Sequence, residues 1–321
     1  MSVYLLVGGA GSLGSCLTKR LLKDGHVVRV YSRDERKHQL LRREVNNPNL
    51  RTMIGDVRDR GRLKRAMQGV DYVVHLAAMK HVDICETNPL ECVNVNVLGS
   101  ANVVECAVDS KVKGVLGIST DKASSPNNVY GASKLMMEDI FKEGHIYAGS
   151  HRIRFGTIRF ANILDSVGNV FEIWAHNLSK GLRLPITSPD MVRPFITAQN
   201  AVEAIQEALE YMNDEAIWYP SVFVYRGALN YRIIELANVF SPDLELIGLR
   251  PGERLRDPMM AEWEVDQAII VTSHLYLFNK DLKPDRDITT PTIKDELEKF
   301  SDSKELVKLY HSLQNHGSKC A

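Results

Sequence analysis

Hydrophobic positions along the chain come in short dense runs, separated by segments in which apolar residues recur every three or four places. Val3-Tyr4-Leu5-Leu6-Val7 is the first run and Val27-Val28-Arg29-Val30-Tyr31 the second. Between them Leu17, Leu21 and Leu22 mark one face of a helix that stops at Asp24-Gly25. The rhythm continues with a charged helix over about 34–44, a strand over about 51–54 and a helix over about 59–68. The strand Tyr72–Leu76, a long helix over about 88–109, the run Val115–Ile118 and a helix carrying Tyr130 follow, and a strand over about 153–160 closes this regular half. Strands and helices alternating in this way predict an α/β fold built on a doubly wound parallel (Rossmann) sheet.

After Phe160 the rhythm loosens, with Pro and Gly (Gly181 to Pro194, then Pro220, Pro242, Pro251 and Pro258) separating short elements. The expected organisation is a dinucleotide-binding domain over 1–160 and a smaller, irregular C-terminal substrate lobe over 161–300, partly interleaved with the sheet. The lobe is expected over the carboxyl edge of the sheet, where doubly wound folds place ligands. A polar tail over 301–321, with Leu306, Leu309 and Leu313 weakly amphipathic, reads as a terminal helix or a frayed end.

Composition narrows this picture. The 321 residues are 44% hydrophobic and 25% charged, ordinary for a soluble globular protein. Lys plus Arg (40) balance Asp plus Glu (40), so nothing steers the chain toward nucleic acid or an anionic membrane. No apolar run approaches the roughly 20 residues of a membrane span, and Met1-Ser2 leads directly into a strand without a signal-peptide pattern. The five cysteines (Cys16, Cys85, Cys92, Cys106, Cys320) form no C-x-x-C pair and no zinc spacing. They read as free thiols in a reducing cytoplasm, and no metal site is expected.

The candidate chemistry starts at Gly8-x-x-Gly11-x-x-Gly14, which follows a strand and opens a helix. Glycines there permit positive φ and close backbone approach, with a pyrophosphate on the helix N-terminus, so the turn predicts a bound dinucleotide. At the end of the second strand an Asp or Glu usually holds the ribose of NAD. This chain has Ser32-Arg33 there, with Lys37 a turn later. A hydroxyl and a guanidinium suit a 2′-phosphate, so NADP is favoured over NAD, with Asp34 the counter-indication. Asp56-Val57, after the third strand, reads either as the adenine side of the site or, for Asp56, as a helix cap.

Tyr130 and Lys134 stand one helical turn apart on one face. A tyrosine titrates near pH 10. The expectation is that the Lys134 cation favours the phenolate of a proton-abstracting tyrosine. Upstream, Asp121 and Lys122 set an acid beside an amine. A solvated loop pair is the plain alternative for those two. His75 and His81 read as structural.

The glycine turn, Tyr130-x-x-x-Lys134 and Asn96 together resemble an extended short-chain dehydrogenase/reductase. Ser32-Arg33-Asp34-Glu35, Gly55-Asp56-Val57-Arg58-Asp59, His75–Val82, Ser119-Thr120-Asp121-Lys122-Ala123 and Arg250-Pro251-Gly252-Glu253 appear in order. That set is similar to the soluble inverting (C5-epimerising) UDP-N-acetylglucosamine 4,6-dehydratases, over about residues 3–260. The resemblance implies an NADP-dependent hydro-lyase whose cofactor stays tightly bound and is regenerated each turnover.

In it Tyr130 and Lys134 serve the redox step, Lys122 is the base at C5, Asp121 the acid at the C6 hydroxyl, and Thr120 a partner near the C4 oxygen. Its cofactor residues are Gly8, Gly11, Ser12, Leu13, Gly14, Ser32, Arg33, Lys37, Asp56, Val57, Ala77, Ala78, Lys80 and Asn96, with Tyr130 and Lys134. It places Lys80, Thr120 and Asn162 at the sugar nucleotide, Arg193 and Arg250 at the diphosphate and Glu253 at the uridine ribose. It also implies a homo-oligomer, dimer or hexamer. Departures at Val167, Glu172, Val192 and Pro194 fall in the substrate half and leave the nucleotide, the sugar and the C5 outcome open. A 4-epimerase, a reductase or a 5,6-dehydratase of the same superfamily is the alternative, and a non-catalytic NADP-binding protein a further one.

Overall fold

The computed structural model describes residues 1–214, 221–278 and 290–315. Strands β1 (Val3–Val7), β2 (Val27–Ser32), β3 (Leu50–Ile54), β4 (Tyr72–His75), β5 (Gly114–Thr120) and β6 (Arg154–Phe160) follow the expected rhythm. Helices Ser12–Lys23, Glu35–Val45, Arg60–Met67 and Val129–Tyr147 lie between them. Later come β7 (Asn162–Ile163), β8 (Leu184–Ile186), β9 (Val192–Ile196), β10 (Ser221–Tyr225), β11 (Leu229–Arg232), β12 (Leu244–Leu246), β13 (Ala268–Ile270) and β14 (Leu275–Phe278).

The main sheet has the order β13-β14-β10-β6-β5-β4-β1-β2-β3. It is parallel from β3 to β10, and β14 and β13 add antiparallel neighbours. The order reverses between β1 and β4, the switch point at which such sheets open a crevice for ligands. Consecutive strand residues serve opposite faces. Leu6, Val74 and Leu116 join the core under helices Ser12–Lys23 and Ala198–Asn213. Their neighbours Leu5, Val73 and Val115 join the core under the helices of the other face. Burial on both sides is why these strands read as unbroken apolar runs.

Beyond the regular half the sheet continues, with β10 pairing in parallel with β6, Ser221 opposite Gly156. One feature departs from the sequence reading. The single long helix expected over about 88–109 is three pieces: Pro89–Cys92, a π-helical stretch Val93–Leu98 and Gly99–Ser110. The wide turn brings Asn96 inward, a local widening common at functional sites.

The segment beyond Phe160 has its own core of Leu164, Phe171, Trp174, Phe195, Leu236 and Tyr310 around the small sheets β11-β9-β7 and β12-β8. Its chain contributes three strands to the main sheet, β10, β13 and β14. The tail forms helix Ser303–Asn315, with Leu306 buried and Leu309 exposed; residues 316–321 lie outside the described residues. Cys85, Cys92 and Cys106 are buried free thiols. Cys16 is buried, and Cys320 is outside the described residues. No described helix is long and apolar enough to cross a membrane.

Candidate active site

The cofactor side is built from backbone at the switch point. Gly8 has φ +90°, and a Cβ there would meet the Ala77 amide nitrogen at 2.6 Å, so the turn after β1 touches the Ala77-Ala78 segment leaving β4. A Cβ on Gly14 would strike Gly9 Cα at 2.6 Å. Helix Ser12–Lys23 starts at Gly11 with no side-chain cap, so no side chain competes for the first-turn N–H groups around Ser12 and Leu13. At the end of β2, Ser32 Oγ lies 2.9 Å from His38 Nε2. Asp34 caps the next helix, its carboxylate accepting from Lys37 N at 3.0 Å. Arg33 stays exposed, 3.8 Å from Asp56, and Lys37 Nζ is 3.9 Å from Asp34.

Asp56 does not cap the helix after β3; Asp59 does, accepting from Arg62 N at 2.9 Å. Arg58 instead wraps the Asp56 carboxylate, its Nη2 at 2.6 Å, and holds that carboxyl below the usual range. Val57 is buried against Gly99. Asn96 is 1% exposed and its amide is engaged on both sides. Its Oδ1 accepts from Met79 N (2.8 Å), and its Nδ2 donates to Met79 O (3.0 Å) and Ser133 Oγ (2.9 Å). It therefore ties the Ala77–Lys80 segment to the Tyr130 helix and positions the site from behind.

The carboxyl end of β5 delivers Ser119 and Thr120, a short 3-10 turn carries Asp121–Ala123, and Asn128 caps helix Val129–Tyr147 by accepting from Gly131 N at 2.7 Å. A Cβ on Gly131 would reach Lys122 O at 2.2 Å, so only glycine lets the helix start against this turn. Thr120 Oγ1 donates to Asp121 Oδ1 (2.7 Å), and its hydroxyl also acts on the Tyr130 phenol, favouring the phenolate. Lys122 Nζ donates to the same Asp121 oxygen at 3.0 Å. Thr120, Asp121 and Lys122 thus form one continuous chain, with the Tyr130 phenol under its influence. Asp121 is 1% exposed, and its second oxygen, Oδ2, has no hydrogen-bond partner.

Electrostatics here differ from the sequence expectation. Burial pushes the Tyr130 phenol up to about 12, with Lys122 and the Thr120 hydrogen bond pulling the other way. Lys134 Nζ lies 3.1 Å from Met137 Sδ, and burial lowers it to about 8 against the pull of Glu138. Burial also pushes Lys122 down, yet Asp121 and Asp257 outweigh it, and its ammonium is held above the ordinary lysine range. Both carboxylates are close, Asp121 at 3.0 Å and Asp257 at 3.2 Å.

On the substrate side the Arg250–Glu253 turn rests on the cap of the Tyr130 helix, Gly252 O accepting from Asn128 Nδ2 at 2.9 Å. Arg250 and Glu253 pair with each other at 2.6 Å. Asn162 Nδ2 donates to Pro194 O (3.0 Å) between β7 and β9. Arg193 turns inward: it donates to the carbonyls of Val192, Leu255 and Arg254 and lies 3.3 Å from Asp257. Lys80 Nζ donates to Val167 O (2.6 Å), while Val167 N donates to Ser12 Oγ (3.2 Å). The segment holding Val167 therefore spans from the glycine turn to Lys80, and Glu172 fixes it by accepting from Gly168 N at 2.8 Å. Burial lowers the Lys80 ammonium. Asp257 is the site residue that sequence reasoning missed, although it comes soon after the Arg250–Glu253 motif. No metal-holding cluster occurs among the described residues.

A parallel sheet with a glycine turn at its switch point, and a Tyr-x-x-x-Lys helix packed beside it, defines an extended short-chain dehydrogenase/reductase. Residues 4–277 match the model of the family described as polysaccharide biosynthesis protein, and the chain belongs to that family. It is 38% identical over 262 residues to a UDP-N-acetylglucosamine 4,6-dehydratase (inverting) of Campylobacter jejuni, covering 80% of this chain and 77% of the relative. It is 34% identical over 274 residues to a UDP-glucose 4-epimerase of Rickettsia rickettsii, covering 82% and 79%. The solved structure of Pen from Bacillus thuringiensis is similar over 98% of both chains, with a TM-score of 0.85 and 29% identity.

Proposed function

We propose that the protein is an NADP-dependent sugar-nucleotide 4,6-dehydratase, inverting at C5, that acts on UDP-N-acetylglucosamine or a close relative. One observation carries this reading: a buried Asp121–Lys122 pair, hydrogen-bonded to Thr120 and acting on the Tyr130 phenol, with Asp121 Oδ2 unpartnered. A 4-epimerase works at C4 alone and has no use for a second acid–base pair. Burying two more charges costs several kcal/mol per ion before their attraction is counted, and water loss is the chemistry that uses them. The similarity to the Campylobacter jejuni dehydratase supports the substrate class. The Rickettsia rickettsii relative makes C4 epimerisation the competing outcome.

The uncapped helix after the glycine turn supports a pyrophosphate seated at Gly11, Ser12, Leu13 and Gly14. Asp34 is committed to capping, whereas Arg33 and Lys37 stand exposed at the same strand end, which supports a 2′-phosphate. The dinucleotide supplies hydride acceptance at C4 and hydride return at C6, and is regenerated in each turnover.

The side chains move the protons. Tyr130 takes the C4 hydroxyl proton, with Thr120 holding the same oxygen. Lys122 removes the acidified C5 proton and keeps it as its ammonium, and Asp121 protonates the departing C6 hydroxyl, which leaves as water; a different, solvent-derived proton delivered to C5 from the opposite face inverts that centre. Transfer of one proton from Lys122 to Asp121, across 3.0 Å, generates that base and that acid together. Lys80, Asn162, Arg250 and Glu253 hold the nucleotide sugar, and Arg193 acts on the charge cluster instead of on the diphosphate. A cytoplasmic homo-oligomer completes the reading, supported by exposed Leu90, Leu98 and Met136 on the helices beside the site.

The test is incubation with UDP-N-acetylglucosamine in heavy water without added cofactor, following the sugar by NMR. A 6-deoxy-4-keto product with deuterium at C5 is expected. A C4 epimer that keeps its C6 hydroxyl would replace this reading with the epimerase.

A further inference from the structure

Asp257 stands far along the chain from Lys122, yet its side chain is only 4% exposed and faces it. Its Oδ2 lies 3.2 Å from Lys122 Nζ and 3.3 Å from Arg193 Nε. Neither contact is aligned as a hydrogen bond, so charge alone holds the carboxylate between two cations. The backbone around it is fixed. Ser124 Oγ donates to Pro258 O at 2.6 Å, and Arg193 is clamped by the carbonyls of Val192, Arg254 and Leu255. The groups facing Lys122 are Asp121 on its own turn, Tyr130 from the helix, Asp257 from the segment after the Arg250–Glu253 turn and Arg193 from β9. Two carboxylates then balance one ammonium and one guanidinium.

We propose that Asp257 is a positioning residue that holds Lys122 as an ammonium between turnovers, with its Nζ against Asp121, while Arg193 offsets enough of the Asp257 charge for that proton to leave. The proposal rests on the dehydratase reading and adds to it the group that governs when Lys122 becomes a base. A carboxylate favours a neighbouring ammonium and a guanidinium disfavours it, so the two neighbours act with opposite sign. The positive direction of the Lys122 shift is consistent with the carboxylates prevailing.

Two readouts test this. The first is the pH profile of kcat for dehydration. The second is competitive reductive methylation of Lys122 against pH, quantified by peptide mass spectrometry, which needs no activity. For Asp257→Asn, the alkaline limb and the methylation midpoint should both fall by about one pH unit, and Asp257→Glu should restore them. For Arg193→Gln both should rise. A folded Asp257→Asn whose Lys122 midpoint stays at the wild-type value overturns the proposal. If that variant does not fold, Arg193→Gln decides: a raised midpoint sustains the proposal and an unmoved one overturns it. If the wild type makes no dehydrated product, the dehydratase reading fails by itself. The methylation midpoint then still judges the Asp257–Lys122 coupling, an opposite pair of shifts sustaining it and their absence overturning it.

Discussion

Two groups of buried charge flank helix Val129–Tyr147, and they differ in how completely they are satisfied. The one behind the helix centres on Arg159, fully buried and bonded to Glu138 (2.8 and 2.7 Å) and Glu264 (2.7 and 3.0 Å). Ser119 Oγ donates to Glu138 at 2.5 Å, the Ala261 amide donates to Glu264 at 2.7 Å, and the guanidinium lies 5.0 Å from the Phe278 ring centroid. All four carboxylate oxygens have a donor. In the group at the front, Asp121 Oδ2 has none, and Asp257 is held by ion pairs without hydrogen-bond alignment. Buried polar groups in proteins are paired as a rule, and exceptions call for an explanation. A saturated network fixes shape; the incomplete one has a carboxylate oxygen left for the polar atoms of a substrate.

If that contrast holds, damage to the two groups has different symptoms. Tyr130→Phe should lower kcat by about 10²–10⁴ with little change in unfolding free energy, because it removes only the proton acceptor. Steady-state kinetics and urea denaturation, run together, check this. Arg159→Met should destabilise the fold by about 3–5 kcal/mol, since it strands Glu138 and Glu264 as uncompensated buried charges. A midpoint of urea unfolding equal to wild type would remove the structural role assigned to that cluster. A third effect appears only in acid and concerns His75, buried 3.1 Å from Ser100 Oγ and lowered to about 3 by burial and by Lys134. Its folded value lies below the ordinary 6.5, so the unfolded chain binds the proton more tightly. Its contribution to stability is therefore complete above about pH 6.5 and is lost as the pH falls toward 3, at up to about 1.4 kcal/mol per pH unit. A His75→Gln variant should show a flatter acid limb in denaturation.

The sheet from β1 to β6 was legible because its signals are local. Runs such as Val3–Val7 stand beside helix periodicity, and the glycine turn sits where a strand meets a helix. Tyr130 and Lys134 are close in sequence and share a helix, so spacing alone brings them together. The hidden part depends on distance along the chain. That β10 would lie beside β6, or that Arg159 would meet Glu264, depends on how the lobe folds back and leaves no periodic trace. The resemblance implies Arg193 at the diphosphate; in the fold it turns inward because β9 runs beside the Arg254–Asp257 segment, and it satisfies the carbonyls of Arg254 and Leu255. Lys122 is the sharpest case. The sequence shows one carboxylate next to it, and the fold brings Asp257 as a second; Asp121 and Asp257 together outweigh burial and hold its charge.

The central claim is that the Asp121–Lys122 pair, and not Tyr130 alone, defines the reaction. Lys122→Ala, incubated with UDP-N-acetylglucosamine in heavy water and followed by NMR, tests it most directly. The account predicts neither deuterium at C5 nor 6-deoxy product from a variant whose unfolding midpoint matches the wild type. Full dehydration with C5 deuteration by that variant would contradict it.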